Sequence, residues 1–162
     1  MNKKKLAIVT GILSVVLVTL NFIGTFRLCG AKDYGSCMDV FYNIIINLFP
    51  IIPLFIFSLI TYKMREEVYQ TWWKFARVWI PASMLAILIA PSYANNWMFP
   101  IEKGNVAAFF SLVFVVSSIL IIASRYYSLK KNLKYSSAAP FGIFIIGLVL
   151  SAIIFLALAQ IL

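Results

Sequence analysis

No charged residue interrupts any long apolar stretch of this chain, and the chain has no histidine at all. The first absence excludes most intramembrane chemistry, because proton-coupled pumps and transporters keep an ionisable side chain at depth. The second removes the commonest metal ligand and the usual acid–base group near neutral pH. Only 12% of the 162 residues are charged, while 63% are hydrophobic and the mean hydropathy is +0.97. A soluble domain of this size needs far more charge to cover its surface. No P-loop, dinucleotide fingerprint or H-E-x-x-H sequence occurs. Ser83, Ser111 and Ser117 have no base or aspartate pair to make them nucleophiles. No catalytic constellation is visible, and the residues imply no cofactor and no metal. No internal repeat is evident either, which disfavours the usual inverted-repeat transporter plan.

What is present is apolar sequence gathered in blocks, at 6–24, 40–62, 78–94, 104–124 and 140–162. Each is near the ~20 residues that cross a hydrocarbon core as a helix. The expectation is an all-α, polytopic transmembrane bundle of five spans, forming a single integral membrane domain over 1–162. The basic n-region of the first block suits a signal peptide, but the apolar run is long for one and no A-x-A-like site follows it. It is therefore read as a membrane anchor.

The charge between the blocks gives an orientation. Lys3, Lys4 and Lys5 precede the first block. Lys63, Arg65, Lys74 and Arg77 follow the second, and Arg125, Lys130, Lys131 and Lys134 follow the fourth. These hold eleven of the fourteen basic residues. Arg27, Lys32 and Lys103 share the other two gaps with Asp33, Asp39 and Glu102. The positive-inside rule then predicts a cytoplasmic N-terminus and an external C-terminus in the cell (cytoplasmic) membrane. The net charge of +9 is accounted for by these border segments, so a nucleic-acid partner is not proposed. The lipid bilayer is the expected partner. The chain has no N-x-S/T sequon, which suits a bacterial source.

Trp72, Trp73, Trp79 and Trp97 read as interfacial anchors, since amphipathic rings favour the headgroup layer. Val68, Trp72, Phe75 and Trp79 recur at helical spacing, with Glu66, Gln70, Lys74 and Arg77 on other faces. This predicts a short interfacial amphipathic helix before the third span, or an extended end of that span. Small and polar residues mark helix contacts in lipid. By that rule Thr10, Ser14 and Asn21 mark the first span, and Asn43, Asn47 and Ser58 the second. Ala82, Ala86 and Ala90 mark the third, and Gly147 with Ser151 the fifth. Pro50 and Pro53, close to Asn47, make the irregular point of the bundle.

Cys29 and Cys37, spaced C-x7-C, fall in the first external gap, where a disulfide is the default. So short a loop would gain ~2–3 kcal/mol in the chain-entropy model. Three functional readings follow. The first is a non-enzymatic accessory, assembly or anchoring subunit that meets other membrane proteins or itself. The second is a small homo-oligomeric channel or facilitator for an uncharged solute, with the Thr10–Asn21 and Asn43–Ser58 stripes lining its path. The third is a thiol-redox protein using Cys29 and Cys37, although redox couples usually use C-x-x-C.

Overall fold

The computed structural model describes residues 8–9, 11–13, 15–20, 34–91, 102–133, 135–136 and 138–159, with only the backbone for 34–38, 41, 158 and 159. Among them the chain is helical, joined by turns. In chain order the helices are α1 (Gly11–Leu20), α2 (Tyr34–Leu48), α3 (Ile51–Tyr62), α4 (Glu66–Ile89), α5 (Lys103–Lys130) and α6 (Ala139–Ala159). Among the described residues, four helical stretches are long and apolar enough to cross a membrane: Tyr42–Tyr62, Glu66–Ile89, Lys103–Lys130 and Ala139–Ala157. The expectation of five spans is corrected to these four. Within the first block the described helix is the short Gly11–Leu20, about half of what a hydrocarbon core requires.

The Tyr42–Tyr62 stretch is helical on both sides of a turn at Phe49 and Pro50. The prolines explain the break. Pro50 has no N–H for the Ile46 carbonyl, and Pro53 has none for that of Phe49. The preceding residues supply tighter bonds instead, Phe49 N–H to Ile46 O at 3.2 Å and Ile52 N–H to Phe49 O at 3.3 Å. These i→i+3 bonds satisfy the carbonyls and bend the chain. Pro53, in the first turn of α3, costs that helix nothing further.

Of the two expectations for the segment before the third span, the extended helix end is the one observed, and the separate amphipathic helix is corrected. Glu66–Arg77 and the third block form one uninterrupted 24-residue helix, α4, which continues through Pro81. Its buried residues are Val68, Tyr69, Trp72, Ala76, Ile80, Ser83 and Ile87, a stripe at steps of three and four that stays on one face. This stripe packs on α5 and α3 rather than lying flat on a bilayer. The Ala82-Ala86-Ala90 register falls off that face. Ala82 is exposed, and Ala86 and Ala90 are half-buried. A repeat of four drifts around a 3.6-residue helix, so it cannot follow a contact seam for long.

α5 is the hub, with α4 on one side and α6 on the other. Among the described residues the buried serines and threonines are Ser58, Thr61, Ser83, Ser111, Ser117, Ser118, Ser128 and Ser151. Several donate back to their own helix, Ser58 to Leu54 O at 2.8 Å, Thr61 to Phe57 O at 2.7 Å and Ser151 to Gly147 O at 2.7 Å. A hydroxyl closed in this way stays small and lets helices approach. Gly147, read as a contact residue, is buried against Ser117 of α5. A Cβ at Gly147 would lie 3.1 Å from the Ser117 Cα, where backbone must yield.

Gly147→Ala should therefore destabilise the α5–α6 contact by ~1–3 kcal/mol. Gly142→Ala is the matched control, because a Cβ there meets nothing within 4 Å. Unfolding in mixed micelles checks the pair; equal behaviour of the two variants would refute the close-approach account.

Candidate functional site

A cavity of about 610 Å³ opens where the first half of α4 meets the end of α5 and the start of α6. Local sequence builds it. α5 ends at Lys131, and Asn132 follows with φ 51°, a left-handed conformation that asparagine tolerates better than most residues. Leu133 N–H then bonds Ser128 O at 3.0 Å, closing a Schellman turn. Ser128 Oγ donates to Leu133 O at 3.0 Å and tightens it. The reversal returns Tyr135 and Ser136 alongside the end of α5. The Ser136 hydroxyl accepts from Ala138 N–H at 3.3 Å, and its carbonyl accepts from Ala139 N–H at 3.1 Å, so Ser136 starts α6. Pro140 follows in the first turn, where its missing N–H is harmless.

Two kinds of surface meet in this cavity. Phe75, Val78 and Trp79 of α4 face Pro140, Phe141 and Phe144 of α6 as apolar walls. Trp79 and Phe144 lie 5.2 Å apart between ring centroids, and Phe75 and Phe144 5.7 Å. The polar rim is Thr71, Lys74, Arg125, Tyr135 and Ser136. Arg125 is only 20% exposed and holds Glu67 Oε2 at 3.3 Å. Its guanidinium lies 4.7 Å from the Tyr135 ring centroid, a cation–π distance. The Tyr135 hydroxyl is 3.4 Å from Ser124 Oγ. Lys74 is exposed and makes no ion pair among the described residues. The cavity size lies within the ~300–1,000 Å³ common for small-molecule sites.

A second, shallower groove of about 320 Å³ is lined by Asn43, Ile44, Asn47 and Leu48 of α2 with Met84 and Leu88 of α4. Asn43 Nδ2 donates to Asp39 O at 2.7 Å, and Asn47 Nδ2 to Asn43 O at 2.8 Å. Lys103 Nζ donates to Asn43 Oδ1 at 3.1 Å and ties α5 to α2. Asn47 Oδ1 is buried and has no partner among the described residues.

The sequence-derived residues divide as follows. Gly147 and Ser151 sit in one contact, Asn43 and Asn47 in one groove, and Ser58 in the core. Thr10, Ser14, Asn21, Cys29 and Trp97 lie outside the described residues, as does the side chain of Cys37, so the disulfide call does too. Trp72 is fully buried, and its indole N–H donates to Ser118 Oγ at 3.0 Å. Trp73 stacks on Tyr69 at 6.0 Å. Trp79 donates to Phe110 O at 3.1 Å. The sequence reading missed Arg125, Tyr135 and Phe144 as neighbours; the Arg125-Tyr126-Tyr127 border was visible, but not the turn that folds Tyr135 back.

No protein family, curated protein or solved structure matches the chain.

The Trp72–Ser118 bond should appear as a coupling of ~0.5–1.5 kcal/mol in a Trp72→Phe/Ser118→Ala double-mutant cycle, at the upper range for hydrogen bonds inside membranes. Additive single variants would show that packing alone holds Trp72.

Proposed function

We propose that the chain is an integral protein of the cytoplasmic membrane and acts as a non-enzymatic accessory, assembly or anchoring subunit of a membrane complex. The observation that carries this reading is the chemistry of its interior. The buried polar residues among those described are mostly serine and threonine, several with hydroxyls closed on their own helices. Hydroxyls held in this way pack helices, and the bonds of these three go to backbone carbonyls rather than to a base that would activate them. α6 adds support. It meets the bundle along the Gly147–Ser151 edge, while Phe141, Ile146, Val149, Ile153 and Leu156 remain exposed. An apolar helix held by one edge is suited to lipid or to a neighbouring transmembrane helix.

The proposed orientation keeps the α3–α4 turn and the α5–α6 turn cytoplasmic, following the basic residues. α5 is 28 residues long, roughly 42 Å at 1.5 Å per residue, against a hydrocarbon core of ~30 Å. Its end from Arg125 to Lys130 is thus placed in the headgroup layer.

The channel reading draws on one observation, the unpartnered Asn47 Oδ1 in the α2–α4 groove. In a homo-oligomer, Asn47→Leu would abolish solute flux in liposomes while leaving the fold intact. The thiol-redox reading rests on Cys29 and Cys37 and gains nothing from the described residues.

Tagged protein taken from its native membrane in mild detergent, at native expression, is expected to bring down a stoichiometric membrane partner identified by mass spectrometry. Recovery as a clean homo-oligomer would overturn the subunit reading and favour the channel.

A further inference from the structure

We infer that the cavity between α4, α5 and α6 is a binding site for an anionic phospholipid of the leaflet that surrounds the α5–α6 turn. The inference rests on the membrane placement proposed above, but not on the existence of a protein partner.

The argument begins with amphiphilicity. One cavity combines an aromatic slot with a rim carrying two cations and three hydroxyl groups. A soluble anion would use the rim and leave the slot unfilled. An uncharged apolar molecule would use the slot and leave Lys74, which makes no ion pair among the described residues, without a counter-charge. A molecule with an anionic head joined to a hydrocarbon chain satisfies both, and the bilayer supplies it at the required depth. Basic pockets between transmembrane helices on the cytoplasmic side suit anionic headgroups for this reason.

Sequence spacing gives the site its polarity. Lys74 precedes Val78 by one helical turn, and Trp79 lies just beyond it on α4. On α6 the order runs Ser136, Pro140, Phe141, Phe144. Both walls therefore pass from polar to apolar in the same direction, from the turn into the bundle. The headgroup phosphate belongs at Lys74, Arg125 and Tyr135, with an acyl chain along Val78, Trp79 and Phe144. The first turn of α6 lies at the same mouth, where a helix N-terminus favours negative charge.

Arg125 is suited to this position because it is already held. Glu67 occupies one edge of its guanidinium and the Tyr135 ring packs at 4.7 Å. A guanidinium has five donors in a fixed plane, so one carboxylate contact does not exhaust it. Glu67 lowers the net charge of the rim to about that of one cation. Removing its charge should therefore strengthen lipid selection.

The test reconstitutes the whole chain in phosphatidylcholine vesicles and measures, by electron paramagnetic resonance, the motionally restricted fraction of spin-labelled phosphatidylglycerol against spin-labelled phosphatidylcholine. Wild type should prefer phosphatidylglycerol roughly five-fold, which corresponds to ~1 kcal/mol for one net cation at the bilayer surface. Lys74→Gln, an exposed change outside the core, should cut the preference at least by half. Glu67→Gln should raise it, and added salt should weaken it. Equal restriction of the two lipids, or a preference unchanged in Lys74→Gln, would overturn the site while leaving the membrane reading intact. A complete lack of restricted lipid would mean the chain does not present its helices to a bilayer, and would remove both.

Discussion

A tryptophan N–H inside an apolar bundle must find an acceptor, and Trp72 finds Ser118 across the α4–α5 contact. Much of the described core depends on that constraint. The bond fixes how α4 slides along α5, because an unmet donor at full burial costs far more than a made one gains. Around the indole stand Phe57, Tyr69, Trp73 and Phe114, with ring centroids 6.0–6.5 Å away. α3 enters the core through Phe57, and α5 through Phe114 as well as Ser118. With that register set, Lys74, Phe75, Val78 and Trp79 have only one place to go. They emerge on the flank of α4 turned toward α6 and form a wall of the cavity.

Serine carries much of the remaining packing. In lipid no hydrophobic force draws one apolar helix to another, so contact depends on close approach and local hydrogen bonding. Ser117 against Gly147 permits the first, and Ser151 bonded back to Gly147 O supplies the second. Both kinds of residue lie on the α5–α6 seam. The same economy operates where the chain changes direction. Pro50 and Pro53 bend the chain without stranding a carbonyl, and Asn132 reverses it by accepting a left-handed backbone. The reversal at Asn132 brings Tyr135 to Arg125.

Helical character, four long apolar stretches and the irregular point near Asn47 and Pro50 were legible in the sequence, because length and hydropathy, or a missing N–H, determine each of them locally; the bounds of the third block were not, since α4 runs over Glu66–Ile89 rather than 78–94. The face that each helix buries was only partly legible. Gly147 and Ser151 could be read as a contact, since two small residues one turn apart have few other uses. The alanines of α4 misled because exposure to lipid is also apolar, so composition cannot separate the two faces. Trp72 misled for a related reason. An indole serves equally as a headgroup anchor or as a core residue, and its acceptor lies 46 residues away. The cavity was illegible, because its rim joins residues of α4 and α5 to the α5–α6 turn, which meet only after these helices have packed.

The border cations carry two consequences that sequence alone would merge. Lys63 and Lys130 are exposed, as residues acting through charge alone would be, and Lys131 is exposed with its ammonium 4.8 Å from the Tyr127 ring centroid. Arg125 differs in kind. It is four-fifths buried and fixed between a carboxylate and an aromatic ring, with a hydroxyl network behind that ring through Ser124. A general topology signal requires no such fixation, since a mobile lysine contributes the same charge to the border. A positioned guanidinium beside an aromatic slot implies a partner with shape as well as charge. In the proposed lipid site that fixation of Arg125 separates a site from a border, and the proposal puts the chain's chemical specificity at the end of α5 rather than at the polar residues midway along its helices.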